Sequence, residues 1–151
     1  MKALLRIARN AQNLDYHKIA QKALAPTLLQ DDILNLNRYD QLYDKGIDAN
    51  GDSIGRYAPY TLNYKLNIAP KIGNDSRVDN ITLRDTGAFY DSFRFKNEPE
   101  QVVITANVEK PDKNLEDEFG EIIGLTDENK AKVAQWVKPD FIRLTKQAIL
   151  K

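Results

Sequence analysis

Asp48-Ala49-Asn50-Gly51-Asp52 opens with the D-x-N-x-D spacing that begins an EF-hand calcium loop. The match then stops. Ser53 stands where the loop needs a glycine, and Pro59 where it needs a bidentate glutamate. A polar turn accounts for the segment better, and no metal site is expected there. His17 is the single histidine and there is no cysteine, so neither a two-histidine metal site nor a thiolate site can form within one chain. A serine–histidine–acid triad would have to use His17, which lies in a helical stretch rich in Lys and Gln. Carboxylates are paired at Asp31-Asp32 and Glu116-Asp117-Glu118. Acid–base catalysis needs an environment that shifts the pKa of one of them, and these runs read as solvated faces. Gly51 and Gly55 are not followed by the Lys and Ser/Thr of a phosphate loop. Tyr39, Tyr43, Tyr57, Tyr60, Tyr64 and Tyr90 have the chemistry to stack on bases or sugars, but serve equally as amphipathic core and interface residues. No catalytic site and no cofactor follow from these residues.

The elements that must hold them read as α+β. Residues 1–45 have helical spacing: Leu4, Leu5, Ala8 and Ala11 share one face, and Ile19, Ala23 and Leu24 continue the pattern. Pro26 interrupts it, and Thr27 is placed to cap a further helix carrying Leu28, Ile33, Leu36, Tyr39 and Tyr43. Gly46 is placed to end that helix. Asn50-Gly51 predicts a hairpin or tight loop, and a brief helical turn is expected over 61–65. Residues 66–80, with Pro70, Gly73 and little apolar periodicity, are expected to be an extended mobile loop. Phe93-Arg94-Phe95 and 102–108 read as strands, joined through a turn at 97–100 into an antiparallel hairpin. A helical turn over 115–119 ends at Gly120. Thr126 caps a long last helix whose apolar face is Val133, Val137, Phe141, Leu144 and Ala148. Pro139 is expected to kink that helix or split it in two. The expected fold is one domain, 1–151: helical over 1–45, loop and β over 46–110, helical again over 113–151, with a small antiparallel sheet packed against the N-terminal helices and the long C-terminal helix.

Composition narrows the classes. With 22 basic and 22 acidic side chains the net charge is zero, whereas a dedicated nucleic-acid binder normally carries a basic excess. A neutral chain also lacks the self-repulsion that keeps monomers apart, which leans towards assembly. No stretch approaches the roughly 18 apolar residues of a membrane span, and early charge in Met1-Lys2-Ala3-Leu4-Leu5-Arg6 does not suit a secretory signal. Charge is unevenly placed. Residues 111–128 hold seven acids, among them Glu116, Asp117 and Glu118, against Lys113; residues 129–151 hold six bases, among them Lys130, Lys132 and Lys138, against Asp140. Two solvated faces with a basic helix end explain this, and so does a complementary pair of surfaces on neighbouring subunits.

The run Asp48 to Thr61, which includes Gly55, Tyr57, Pro59 and Thr61, followed by Lys65 and then Leu83-Arg84-Asp85-Thr86-Gly87-Ala88-Phe89 through Phe93, resembles the phage virion morphogenesis family. These are the tail-completion and neck proteins of tailed phages. Glu118-Phe119-Gly120 is similar to the family's late aromatic-glycine element, and Ile123-Gly124-Leu125-Thr126 to its entry into the last helix. The resemblance spans about residues 35–150. It departs at Tyr57, where the family often has Trp, and at Glu121-Ile122-Ile123, where an Arg-rich stretch is common. The general style also resembles proteins of crAss-like phages. The resemblance implies a non-enzymatic head–tail connector, a ring-forming homo-oligomer in the virion, made in the host bacterial cytoplasm. Its partners would be itself, portal or adaptor proteins and tail proteins; DNA would pass through the ring without specific contact, and no membrane is involved. Gly87 is expected to supply a positive φ or a close backbone approach, and Thr86 to cap the turn at 88–92. The alternatives are a protein- or DNA-binding regulatory module and a small hydrolase.

Overall fold

The computed structural model describes Met1–Lys151. Three helices open it: α1 (Lys2–Gln12), α2 (Tyr16–Ala23) and α3 (Thr27–Asn35). Asp15 caps α2 by accepting from the Lys18 N–H at 3.0 Å. Pro26, not Thr27, is the N-cap of α3. The chain then runs directly into a π-helix over Leu36–Lys45, which Gly46 ends in the left-handed conformation at φ 62°. Next come α4 (Pro59–Asn67), a 3-10 turn (Ala69–Ile72) and the short α5 (Ala88–Asp91). The strands β1 (Arg94–Asn97) and β2 (Val102–Thr105) form the only sheet, an antiparallel hairpin in the register Arg94↔Thr105 to Asn97↔Val102. α6 (Leu115–Phe119) and α7 (Asp127–Leu150) complete the chain. The fold is α+β, as expected, with Thr126 capping α7 through the Asn129 N–H at 3.2 Å.

Three expectations fail in part. The first half of 66–80 is not loop: α4 runs to Asn67 and the 3-10 turn follows. Asp75 beyond it is buried. β2 stops at Thr105, because beyond it the backbone turns to pair Glu109 with Asn114. α7 is not split at Pro139. Pro139 is exposed, as is Gln135, whose carbonyl loses its helical donor, so water can take over that bond.

The core lies between the π-helix, residues 81–93 and the turns that lead into α6 and α7. Leu34, Leu42, Ile54, Ile81, Phe89, Tyr90, Phe93, Leu115 and Ile122 form it, with Phe89, Tyr90 and Phe93 packed edge to face. α1 and α2 pack on α7 as a helical layer, tied to β1 through Gln21 and Asn97. Tyr16 stacks on Phe141 at 6.5 Å, and Asn10 donates to the Ile149 carbonyl at 3.0 Å. The α1 side facing α7 is Ile7, Asn10 and Ala11; Leu4 and Leu5, on the face read from the helical spacing, are 70% and 65% exposed. In total the chain exposes 9831 Å², against about 7,800 Å² for a compact monomer of its 17.2 kDa. No helix is long and apolar enough to cross a membrane.

Candidate functional site

A cleft of about 580 Å³ opens between α4, the 81–89 segment and the 110–119 segment. Its floor is Ile81, Phe89 and Leu115, all buried. Of the residues that carry the family resemblance, Tyr57, Thr61, Lys65, Leu83, Thr86, Gly87, Phe89 and Phe119 line it. Pro59 sits at the first position of α4, where its missing N–H costs nothing. Gly55 and Gly120 take positive φ of 105° and 79° beside it. Eight of the residues singled out in the sequence thus line one cleft.

A buried ion pair holds this wall together. Lys65 is only 4% exposed, and its ammonium donates to Asp75 Oδ2 at 2.8 Å, the Asp75 carbonyl at 3.2 Å and the Arg84 carbonyl at 3.0 Å. Its three hydrogens are therefore all used. It also lies 5.0 Å from the centre of the Tyr57 ring. Asp75 accepts in addition from Tyr43 Oη at 3.0 Å and Thr82 Oγ1 at 3.1 Å. With the Thr82 hydroxyl proton on Asp75, Tyr57 donates to Thr82 Oγ1 at 3.1 Å, while its own oxygen accepts the Thr82 N–H at 2.9 Å. Tyr90 Oη donates to the Thr82 carbonyl. Burial pushes the Asp75 carboxyl up, but the Lys65 ammonium and the two hydroxyls outweigh it and hold it below the ordinary range. Burial likewise pulls Lys65 down and is outweighed by Asp75 and Tyr57, which raise it. Burial raises the Tyr90 phenol. Charges this fully bonded position the walls and are not free to exchange protons with a substrate.

Backbone geometry shapes the mouth. Gly87 has φ 97° and opens α5, and Thr86 Oγ1 accepts the Ala88 N–H at 3.3 Å, so both roles expected of this pair are structural ones. A Cβ at Gly87 would meet nothing closer than 3.9 Å, so the positive φ and not crowding is what requires glycine. Gly87→Ala is expected to cost about 1–2 kcal/mol, seen as a fall of a few degrees in the thermal unfolding midpoint; an unchanged midpoint contradicts this. Leu83 is the one non-glycine residue at positive φ, 54°, and it too faces the cleft. Around the mouth stand Arg56, Arg84, Lys110 and Lys113. Lys113 pairs with Glu118 at 2.9 Å. The nearest carboxylate oxygen to Arg84 is 3.9 Å away on Asp75, and its buried Nε has no partner.

The residues expected on two complementary subunit surfaces lie in α6 and α7. Glu116 and Asp117 are exposed in the first turn of α6, where Asn114 caps their N–H groups. Lys130 and Lys132 reach Asp127 and Glu128 of their own helix at 3.8 and 3.4 Å, and Lys138 is exposed further along it. In the turn at 48–52, Asp48 Oδ1 accepts the Asn50 and Asp52 N–H groups, both at 2.9 Å, which is the polar-turn role. No cluster of three His, Asp or Glu side chains suited to a metal ion forms.

Sequence reading missed Asp75, Thr82 and Arg84. It also missed a second buried set, Asn37, Gln41 and Asn129, which holds the entry to α7. Asn37 donates to the Ile122 carbonyl at 3.0 Å and accepts the Gly124 N–H at 2.8 Å. Gln41 donates to the Gly124 carbonyl and accepts the Thr126 N–H, both at 2.9 Å. The only available signal was the four-residue spacing of Asn37 and Gln41, which puts two amides on one helical face.

No protein-family model, no curated protein and no solved structure matches this chain.

Proposed function

We propose that the chain is a non-enzymatic assembly subunit of a bacteriophage virion, forming a ring in the head–tail connector between portal and tail. The observation that carries this reading is exposed surface. The chain leaves about 2,000 Å² more in the open than a compact monomer of its mass. A ring subunit has two neighbours, and two sides of a standard interface bury roughly 1,600 Å² per subunit. The excess matches that need. Large apolar side chains are exposed and available for burial against a neighbour: Leu4 and Leu5 on α1, Leu28 on α3, and Leu66, Ile68 and Ile72 in and just before the 3-10 turn. Zero net charge puts no long-range repulsion in the way. The convergence of the family-like residues on one cleft with fully bonded internal charges supports a docking role over a chemical one.

Light scattering of the purified chain across a concentration series, alone and with candidate portal and tail proteins, tests this. A single closed mass, several times that of the chain, is the expected result. A monomer at every concentration that also ignores those partners overturns it.

A further inference from the structure

We propose that the cleft is one half of the contact between copies and that the N-terminal end of α3 is the other half; this rests on the ring reading above. The cleft combines an apolar floor with five cations, Arg56, Lys65, Arg84, Lys110 and Lys113, against three carboxylates, Asp85, Asp112 and Glu118, and of the cations Arg56 and Lys110 have no ion pair. Arg56 makes no ion pair or hydrogen bond, the Lys110 ammonium only overlies the Phe89 ring at 5.9 Å, and the Arg84 Nε is buried without an acceptor. Such a site takes an apolar side chain flanked by carboxylates. The N-terminal end of α3 presents that combination. Leu28 is 79% exposed, and Asp31 and Asp32, three and four residues on, lie on the same helical face. Both acids are exposed, and neither side chain has an ion pair or hydrogen bond. Leu4, Leu5 and Ile72 have cationic companions instead: Leu4 and Leu5 share α1 with Lys2, Arg6 and Arg9, and Ile72 adjoins Lys71.

No residue of α3 lines the cleft, so the knob of one copy enters the cleft of the next. A contact between two different surfaces is heterologous and propagates around a ring. A volume of about 580 Å³ accommodates a leucine and two carboxylates. Leu28, Asp31 and Asp32 are thereby assigned as the ligand group, and Arg56, Arg84 and Lys110 as the charges that receive it.

The chain has no cysteine, so an engineered pair reports on contact without background. Leu28→Cys with Ala88→Cys, Ala88 being exposed at the cleft wall, is expected to give a ladder of disulfide-linked multimers on mild oxidation. Adding Asp31→Lys and Asp32→Lys should abolish the ladder, and in the cysteine-free chain raise the concentration for half-assembly at least about tenfold. Reversing the cleft as well, with Arg56→Glu and Lys110→Glu, should restore both. A ring by light scattering with no ladder, or with assembly indifferent to the reversals, overturns this contact and leaves the ring reading standing. The absence of both ring and ladder overturns this contact, and overturns the ring reading too when the chain also ignores portal and tail proteins.

Discussion

Lys65→Met is expected to lower the unfolding free energy by about 3–5 kcal/mol, because it leaves a buried carboxylate without its counter-ion. Asp75 would keep only the Tyr43 and Thr82 hydroxyls close by, with Arg84 at 3.9 Å. Lys65 also ties the Asp75 and Arg84 carbonyls, so its loss loosens both sides of the cleft wall. In thermal unfolding this corresponds to roughly 10 °C. The double change Lys65→Met with Asp75→Leu removes the orphaned charge and should recover much of the loss, since a buried pair is often no better than apolar residues of similar volume. A single variant that melts within a degree of the parent would show that the pair contributes nothing.

The same pair sets a pH dependence with a definite sign. Asp75 is held below its ordinary value of 3.8, so its contribution is fully present above that value and is lost as pH falls below it, through the folded-state pKa. Lys65 is held above its ordinary 10.5, so its contribution is present below 10.5 and is lost as pH rises through the higher folded value. Between these limits the pair is insensitive to pH. In Lys65→Met the order at the acid end reverses. Burial is then the main influence on Asp75 and raises its pKa, so acidification from neutral pH relieves the variant, while the parent holds level until the pH falls below 3.8. Stability curves of the two should therefore converge as pH drops from 7 towards 4; parallel curves would contradict the assignment.

Local signals were legible where a single residue dictates its own backbone. Gly46 and Gly87 at positive φ, the cap at Thr126, the Thr86 hydroxyl that accepts the Ala88 N–H, and the 94–105 hairpin follow from residue types within a few positions of each other. Asp75 was not legible, because its partners Tyr43, Lys65 and Thr82 come from three separate segments. A polar stretch rich in Asn, Asp and Ser looks like loop when nothing in it is known to be buried. Once Lys65 and Asp75 pair, and Arg77 bridges Asp44 and Asp79, 73–80 is held down without a regular element. The π-helix was hidden for a similar reason. Its residues suit an α-helix, and within the wider turn Asn37 and Gln41 bond residues more than 80 positions away, which local sequence does not show. For Leu4 and Leu5, apolar periodicity says which residues share a face and not whether that face is covered within the same chain.

Gln41 carries the other large effect. It is fully buried and does for residues 124–126 what a neighbouring strand would do, giving an N–H to Gly124 and taking one from Thr126. Its Oε1 accepts also from Asn129 Nδ2 at 2.9 Å, which ties the first turn of α7 to the π-helix. Gln41→Leu keeps the volume and removes both ends of this bridge, leaving a carbonyl and an N–H unpaired at about 1–3 kcal/mol each. A total loss of roughly 2–5 kcal/mol is expected. Gln41→Glu separates the two functions: it keeps the acceptor for Thr126 and Asn129 but turns a carboxylate oxygen towards the Gly124 carbonyl. Its deficit should be large at neutral pH and shrink on acidification, when the protonated oxygen can donate again. Both variants act where α7 leaves the core, so hydrogen exchange at Gly124 and Thr126 should speed up well before exchange within β1 and β2. Trp136, the single tryptophan and itself on α7, offers an independent fluorescence reading of that release. If exchange at Gly124 and Thr126 instead rose only in step with the whole chain, the amides of Gln41 would be supporting the global fold and not this junction.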